Sequence, residues 1–412
     1  MRIAYISTCQ PRKCGLATFN ENLIQAVDHY IPFSSSGSFI VALNDSEDKY
    51  QYDYDDRVKF VISQERVSDY LSAASFINSS GVEMCCIQHE FGIYGGSNGM
   101  HLLALVRALQ VPYTIIFHTV LLSPNPEQFS ITKKLADKAA KVVVMSRKAV
   151  RMLRDIYRIP TSRVQCIPHG VPDFEKPDAE LTKQRLGLPK GKTLLTFGLL
   201  GPSKGLETTI QALPEICAKH PDTRYVILGK THPGIFKNSG ESYRESLIRL
   251  AQQLGVEDHL VFISNFVSEK ELHNYLSACD IYVTPYPNEA QITSGTLSYA
   301  VGAGAAVVST PYWHAVELLK NNRGMLFDFN DHQQLSVVIN RLLDNPTEWK
   351  KLKQNAFKYG CSLRWPKIGK QYGQLFKNHV KEEEAPLLSE STLMQVKSSL
   401  SRTMTWNTLE LK

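Results

Sequence analysis

T-P-Y-P-N-E-A-Q-I-T-S-G-T-L-S-Y-A-V-G-A-G-A-A-V-V-S-T-P, Thr284 to Pro311, is the stretch that decides the fold. It opens at the end of an apolar run, Ile281–Val283, and closes on another, Ala305–Val308. Between them stand a carboxylate (Glu289), a hydroxyl cluster around a glycine (Ser294, Gly295, Thr296) and a small-residue helix face (Ala300, Gly302, Ala303, Gly304). Strand, polar loop, helix start and strand follow in that order. In a parallel sheet this order sets hydroxyls and free backbone N–H groups at the carboxyl ends of the strands, where an anion binds well. The stretch points to a phosphate or nucleoside-diphosphate site.

Outward from it, short apolar runs alternate with segments of helical period. The expected strands of the first half are Ile3–Ser7, Phe39–Leu43, Val58–Ile62, Met84–Gln88, Tyr113–His118, Val142–Met145 and Val164–Ile167. Those of the second half are Thr193–Phe197, Tyr225–Leu228, Leu260–Ile263, Ile281–Thr284, Ala305–Ser309 and Met325–Phe327. Such alternation reads as βα units in parallel sheets, and two successive sets imply two Rossmann-like α/β domains. The length of 412 residues agrees, since it exceeds one core and suits domains of about 150–200 residues. The break is expected near Pro168–Lys190, where Pro168, Gly170, Pro172, Pro177 and Pro189 lie among polar residues. This divides the chain into 1–175 and 176–361, and the run K-E-E-E-A-P and beyond, 381–412, reads as a flexible tail.

Hydrophobic content of 43% and charged content of 21% are ordinary for a globular chain. A formal charge of +6 is compatible with anionic substrates or a membrane surface, and no nucleic-acid partner is expected. The eight cysteines contain no C-x-x-C pair, so buried thiols in a reducing compartment are expected rather than a zinc or redox site. The opening run Met1–Ile6 is too short for a secretory signal, and no stretch of roughly 18 apolar residues exists to span a membrane. The expected location is cytoplasmic.

Four segments carry candidate chemistry. After Ile3–Ser7, Gly15 opens a helix whose apolar positions Phe19, Leu23, Ala26 and Val27 recur at helical spacing. A glycine there either admits a phosphate or sugar to backbone amides or serves tight packing. The absence of G-x-G-x-x-G argues against an NAD enzyme. His118, in Phe117-His118-Thr119, ends a strand at the crevice; it reads either as a group facing a ligand there or as an ordinary hydrogen-bonded histidine. His89 and Glu90 end another; adjacent residues of an extended chain point opposite ways, so one of the two at most faces the crevice. In F-G-L-L-G-P-S-K-G-L-E-T-T, Phe197–Thr209, a strand runs into a glycine-rich loop in which Lys204 and Gly205 begin a helix, a setting that neutralises phosphate charge. The triplets Gly191-Lys192-Thr193 and Gly229-Lys230-Thr231 lack the glycine five residues upstream that a P-loop needs. Asp53-Tyr54-Asp55-Asp56 precedes a strand, at the wrong end for the crevice, and reads as a solvated loop.

Taken together, Cys14-Gly15, His118-Thr119, Ser146, Pro168-His169-Gly170-Val171, Ser203-Lys204-Gly205, Thr284-Pro285 and the run Glu289 to Gly304 resemble retaining glycosyltransferases of the GT-B fold, family 4, mannosyltransferase-like subgroup. The resemblance covers roughly residues 1–380 and rests on order and spacing. It implies transfer of a hexose, of mannose or glucose type, from a nucleotide-diphosphate sugar to a glycan, lipid or small-molecule acceptor. It implies neither a catalytic metal nor a cofactor beyond that substrate. The implied catalytic set is His118 near the transferring sugar, Lys204 on the donor phosphates and Glu289 at the donor sugar. Gly15, Ser203, Gly205, Gln291, Thr293, Ser294, Gly295 and Thr296 are the implied donor-binding set, and His89, Glu90 and His169 line the cleft or acceptor side. Trp365 fits a crossover in which the last helix, about 362–380, returns to the first domain.

Two positions depart from the family. It carries Arg beside the glycine of its phosphate loop, where Leu199 follows Gly198 here. It carries two Glu eight residues apart; counted back from Gly304 these positions hold Gln291 and Tyr299, and counted from Glu289 the second holds Leu297. Ser294 and Thr296 are candidate replacements. The departures keep a non-catalytic nucleotide-sugar-binding or scaffold protein as the alternative. Finally, Arg147, Arg151, Arg154 and Arg158 recur at helical spacing over inward Val150, Leu153 and Tyr157, with further lysines from Lys133 to Lys141. This is either a solvated face or a peripheral contact with anionic lipid at the inner membrane face.

Overall fold

The computed structural model describes residues 1–31, 37–45, 52–174, 178–265 and 267–384. The first domain runs β1 (Ile3–Ser7), α1 (Gly15–Tyr30), β2 (Phe39–Asn44), β3 (Val58–Ser63), α2 (Val67–Ser79), β4 (Met84–His89), α3 (Leu102–Ala108), β5 (Tyr113–Phe117), α4 (Pro126–Lys138), β6 (Lys141–Val144), α5 (Arg147–Asp155) and β7 (Val164–Cys166). The second opens with α6 (Ala179–Arg185), β8 (Thr193–Phe197), α7 (Leu206–Lys219), β9 (Arg224–Leu228), α8 (Pro233–Ser239), α9 (Ser242–Gln253) and β10 (Leu260–Ile263). It continues with α10 (Glu269–Ala278), β11 (Ile281–Thr284), α11 (Gly295–Gly302), β12 (Ala306–Ser309), α12 (Trp313–Leu318), β13 (Met325–Leu326), α13 (His332–Asp344) and α14 (Pro346–Leu363). The last helix is α15 (Trp365–Glu384). Every strand expected from the apolar runs is present, displaced by no more than one residue at either end.

Among the described residues the strands form a seven-stranded sheet, β3-β2-β1-β4-β5-β6-β7, and a six-stranded sheet, β10-β9-β8-β11-β12-β13. All pairings are parallel. The central strands are buried along their whole length, because helices cover both faces. In each sheet the order reverses beside the first strand, between β1 and β4 and between β8 and β11. Connections leave those neighbours toward opposite faces and open a crevice beyond their carboxyl ends. The two crevices are where the loops after β1, β4, β8 and β11 present their residues.

The expected linker is only partly one. Residues 179–185 form α6, capped by Asp178, whose carboxylate accepts the Leu181 N–H at 2.9 Å. The helix is anchored because Lys183 is buried against Asp280, Nζ to Oδ2 2.8 Å, an oxygen that also accepts the Thr193 N–H at 2.8 Å. Composition alone hides such a pair. The chain crosses between domains before α6 and again after α14, and the crossings bond to each other. Val171 N–H donates to the Leu363 carbonyl and Trp365 N–H to the Val171 carbonyl, both at 2.9 Å.

After the second crossing α15 returns to the first domain, and Trp365, Ile368, Tyr372 and Phe376 join the core formed with β1 and α1. The tail expected at 381–412 lies outside the described residues, apart from the last turn of α15. The domains also touch directly. Ile292, from the loop after β11, is buried in the core of the first domain, and Trp313 packs against it. The Glu317 carboxylate of α12 accepts the N–H groups of Arg147 (2.9 Å) and Lys148 (3.4 Å) at the start of α5. The Lys148 ammonium lies 5.0 Å from the Trp313 ring centre. No helix among the described residues is long and apolar enough to cross a membrane.

The return of α15 depends on small residues. A Cβ on Gly369 would come within 2.4 Å of the Ala26 carbonyl oxygen of α1. Gly369→Ala is therefore expected to lower unfolding free energy by about 1–3 kcal/mol, the cost of overpacking a tight contact. Denaturant melts check this, and a variant as stable as the parent would show that α15 is not seated as described.

Candidate functional site

The loop after β8 is shaped by backbone that only glycine adopts easily. Gly198 has φ +127° and Gly205 φ +62°, and a Cβ on Gly205 would lie 2.2 Å from the Pro285 carbonyl oxygen. The sequence placed Lys204 and Gly205 at the start of a helix. They stand there: Pro202–Lys204 make one 3-10 turn, and the left-handed Gly205 that closes it is the N-cap of α7. This turn lays the loop against the one after β11 and brings Lys204 Nζ to 2.8 Å from the Tyr286 hydroxyl and 4.7 Å from its ring centre.

From Tyr286 a chain of hydroxyls leads to a helix end. Tyr286 Oη lies 3.2 Å from Thr296 Oγ1, which lies 3.1 Å from Ser294 Oγ. Ser294 is the N-cap of α11, its hydroxyl accepting the Leu297 N–H at 3.3 Å. Tyr286 is buried and stacked on Tyr312 at 4.8 Å. Burial alone would push its phenol up; the Lys204 ammonium, with hydrogen bonds from Lys204, Thr296 and Ser294, outweighs burial and holds it below the ordinary value. Tyr286 was not among the residues singled out from the sequence, although its place two residues past a strand end was a usable signal. Of the other expected donor residues, Ser203 is exposed in the 3-10 turn, and Glu289 and Gln291 stand at the exposed tip of their loop. The Glu289 carbonyl accepts the Trp313 N–H, and the Gln291 carboxamide folds back onto the Thr293 carbonyl. Gly15 is exposed just after the α1 cap, and a Cβ there would meet nothing within 4 Å, so packing does not demand the glycine.

Facing this cluster, Phe19 of α1 gathers the first-domain residues. Its ring meets His118 at 4.8 Å, His169 at 5.1 Å and Trp365 at 5.3 Å. His118 Nε2 is 2.8 Å from Gln88 Oε1, so that nitrogen carries the proton. His169 donates from Nδ1 to the Gly170 carbonyl at 2.7 Å, and its Nε2 sits over the start of α11, where a Cβ on Gly295 would come within 3.0 Å. His314 Nδ1 accepts the Ser294 N–H at 2.9 Å. Of the pair His89 and Glu90, only Glu90 turns outward. It accepts from the Thr119 hydroxyl at 2.6 Å, and burial raises its carboxyl above the ordinary value. His89 is fully enclosed by Phe91, Phe117 and Tyr94, with neither ring nitrogen hydrogen-bonded. It belongs to the core rather than to the crevice.

The departures from the family pattern have structural partners. Tyr299 does not leave a gap: its hydroxyl donates to Glu269 Oε1 at 2.5 Å, and Asn22 of α1 donates to the same oxygen at 2.7 Å. The basic stripe is shorter than expected. Arg147, Arg151 and Arg154 are exposed on α5, but α5 ends at Asp155 and Arg158 lies beyond it with φ +57°. Asp53–Asp56 stand ahead of β3, with Asp55 paired to Arg57 at 3.2 Å. Among the described residues no group of three or more His, Cys, Asp or Glu is placed to hold a metal ion.

Two doubly wound domains whose crevices face each other define the GT-B arrangement. The family described as Glycosyltransferase Family 4 matches residues 40–173, and Glycosyl transferases group 1 matches residues 178–359. The chain belongs to the GT-B glycosyltransferases of family 4. It is similar to a D-inositol 3-phosphate glycosyltransferase of Nocardioides, 25% identical over 60% of this chain and 56% of that one. It is also similar to a GDP-mannose-dependent alpha-(1-6)-phosphatidylinositol monomannoside mannosyltransferase of Mycolicibacterium smegmatis, 27% identical over 56% of this chain and 59% of that one. The chain thus spans a little over half the length of the curated relatives it matches. Among solved structures, sucrose-phosphate synthase of Thermosynechococcus elongatus superposes with TM-score 0.74 at 18% identity over 92% of this chain and 98% of that one. Anabaena HepE in complex with UDP does so with TM-score 0.71 at 17% identity over 92% and 100%. These likenesses show the fold.

Four histidines held largely out of water give the fold a pH signature. Burial holds His89, His118 and His314 down to about 3 and His169 down to about 4, against an ordinary 6.5. Across that window the unfolded chain binds protons that the folded chain refuses, so stability rises with pH and is lost as pH falls below about 6.5. Each such histidine adds up to about 1.4 kcal/mol per pH unit to that slope. His89→Phe, which keeps a ring in the aromatic box, is expected to remove one share. Unfolding free energies measured between about pH 7 and 4.5 check this. A slope equal to that of the parent would mean that His89 takes up a proton in the folded chain as readily as in the unfolded one.

Proposed function

We propose that this chain transfers a hexose from a nucleoside-diphosphate sugar to a hydroxyl of a glycan, lipid or small-molecule acceptor, with retention of configuration. The observation that carries the reading is the run Lys204–Tyr286–Thr296–Ser294 at the N-terminus of α11. It sets an ammonium, three hydroxyls and a helix end on the crevice where the strand order reverses. Such a site suits a diphosphate, because the ammonium and the free backbone N–H groups all oppose negative charge. UDP in a structural neighbour and GDP-mannose in the name of a relative support a nucleotide donor.

In this reading the bond from the sugar C1 to the diphosphate oxygen breaks, and its electron pair passes to the diphosphate. The acceptor oxygen bonds to C1 on the same face, and its proton goes to the leaving diphosphate oxygen. Lys204 and the start of α11 stabilise the charge that builds on the leaving group, which is where most of the rate is gained. Neutral His118 faces the sugar from the first domain, and Glu289 or Gln291 orients it from the loop after β11. The exposed arginines of α5, with Lys134 and Lys138 of α4, form a peripheral contact with anionic lipid in this proposal, each worth about 1 kcal/mol near such a surface. Co-sedimentation with anionic vesicles that fades with salt is the expected outcome; no binding at low salt would remove the membrane contact.

The Leu199 and Tyr299 departures favour one alternative, a nucleotide-sugar binder without turnover. Incubation with UDP- and GDP-sugars separates the two: release of nucleoside diphosphate supports transfer or hydrolysis, and binding without release supports the binder. Lys204→Ala is expected to weaken UDP or GDP binding by about 1.5–3 kcal/mol, the range for hydrogen bonds to charged groups. Titration calorimetry measures it, and unchanged affinity would remove Lys204 from the phosphate site.

A further inference from the structure

We infer that Gln88 is a positioning residue for transfer: its carboxamide oxygen holds the His118 proton on Nε2 and so turns the Nδ1 lone pair to the crevice as an acceptor for a sugar hydroxyl. The inference rests on the transferase reading above and adds to it a residue in contact with neither sugar nor phosphate.

The sheet places the two side chains together. Gln88 of β4 stands opposite Ile116 of β5, and the ladder continues past the strand, with His118 N–H donating to the His89 carbonyl at 3.0 Å. Gln88, Ile116 and His118 therefore lie on one face, the face covered by α1 and α15, because alternate residues share a side. His89 and Phe117 fall on the other, which is why His89 ends in the core. Gln88 is fully buried, and its oxygen is 2.8 Å from His118 Nε2. A carboxamide oxygen only accepts, so the bond requires the proton on Nε2. The other side of the amide faces Cys86 Sγ at 3.9 Å, a weak partner that does not compete. The remaining ring edge of half-buried His118 carries Nδ1, and Phe19 holds the ring edge-on at 4.8 Å.

The lock matters because the ring is neutral. The titratable groups that act on His118 are His169 from the crossing segment and His89 from β4, and both are themselves held neutral. Phe19 from α1 brings no charge. A neutral imidazole has two tautomers, and only one offers an acceptor at Nδ1. In the other, Nδ1–H would meet the hydroxyl as a donor, and the Gln88 amide would have to turn over to donate to Nε2, leaving its oxygen with only the Cys86 thiol as a weak donor. Gln88 thus decides what His118 can do, as the partner of a ring nitrogen does elsewhere.

The test uses the full chain labelled with nitrogen-15 in histidine. In the parent, the His118 ring is expected to show the Nε2–H tautomer without titrating between about pH 5.5 and 8. Gln88→Leu is expected to populate the Nδ1–H tautomer and to lower kcat roughly tenfold, with the donor KM moving less than about twofold. Gln88→Glu, whose carboxylate would favour a charged ring, is expected to bring His118 titration into the accessible range and to add an acid limb to the rate profile. An Nδ1–H tautomer in the parent overturns the proposal. So does a folded Gln88→Leu variant that keeps both the parent tautomer and the parent kcat. Failure of the underlying reading looks different. If His118→Ala left transfer unchanged, or no nucleotide sugar turned over, the transferase site would fall and take the catalytic clause with it, whatever the spectrum showed about Gln88.

Discussion

The close approach of Gly205 to the Pro285 carbonyl is the constraint on which the second crevice depends. With any Cβ at 205 the loops after β8 and β11 would have to part, and Lys204 would lose its 2.8 Å contact with Tyr286. Gly205 needs its freedom twice, once for its left-handed φ of +62° and once for the carbonyl it rests on. A similar approach lies one loop away, where a Cβ on Gly229 would meet the Gly198 carbonyl oxygen at 2.0 Å. Three strand ends are thereby drawn together at the point where the sheet order reverses. The chemistry of the site follows from that compression: a lysine without it would be one more solvated cation.

Much of this was legible in the residues. The central strands are buried on both faces and read as apolar runs, the edge strands β3, β7, β10 and β13 are short runs of the same residue types, and their alternation with helices fixed the parallel class. The glycine-rich loops announced the strand ends that meet at the crevice. What the runs do not encode is which side chains meet across them. The Lys183–Asp280 pair that makes α6 a helix spans distant parts of the chain, and so does the Lys204–Tyr286 pair. His89 and Glu90 were separable in principle from strand alternation, but which of them faced out depended on the β4–β5 register. Arg158 looked like the end of a stripe because spacing alone does not show where a helix stops; the left-handed turn there ends α5 three residues early.

The contacts between domains make the first crevice part of the second domain's site. Ile292 and Trp313 insert into the first domain from the loop after β11 and from α12. Glu317 supplies the start of α5 with the acceptor that its free N–H groups lack. Ile292 lies within the hydroxyl cluster's loop and α12 is tied to that loop by the Trp313 N–H to the Glu289 carbonyl, so a shift of the loop after β11 is transmitted to the first domain. The paired crossings at Val171 and Trp365 set the opposite edge of the same interface. Phe19 stands on the first-domain side of this interface, its ring edge-on to His118 and His169.

The family departures are best understood through this interface. A carboxylate at position 299 would project toward Glu269, and two acids sharing Asn22 would repel one another in a part-buried contact. Tyr299 fills the same place with a hydroxyl that donates to Glu269, so the second domain keeps one acid there, bonded to α1 of the first domain. At Leu199 a cation is missing from the phosphate loop, and among the singled-out residues Lys204 alone supplies a full charge. In the proposed diphosphate site the rest of the anion's stabilisation would come from neutral donors: Tyr286, Thr296 and the start of α11. A helix end contributes up to about 2 kcal/mol in a partly buried setting, and a neutral hydrogen bond about 1 kcal/mol. Several such donors together match what a second guanidinium would add, provided that they stay aligned. Alignment is what the Tyr286–Tyr312 stack and the Ser294–His314 bond maintain. In the proposed donor site, then, neutral dipoles would stand where the family pattern has a second charge, and Gly205 keeps the two loops closed upon them.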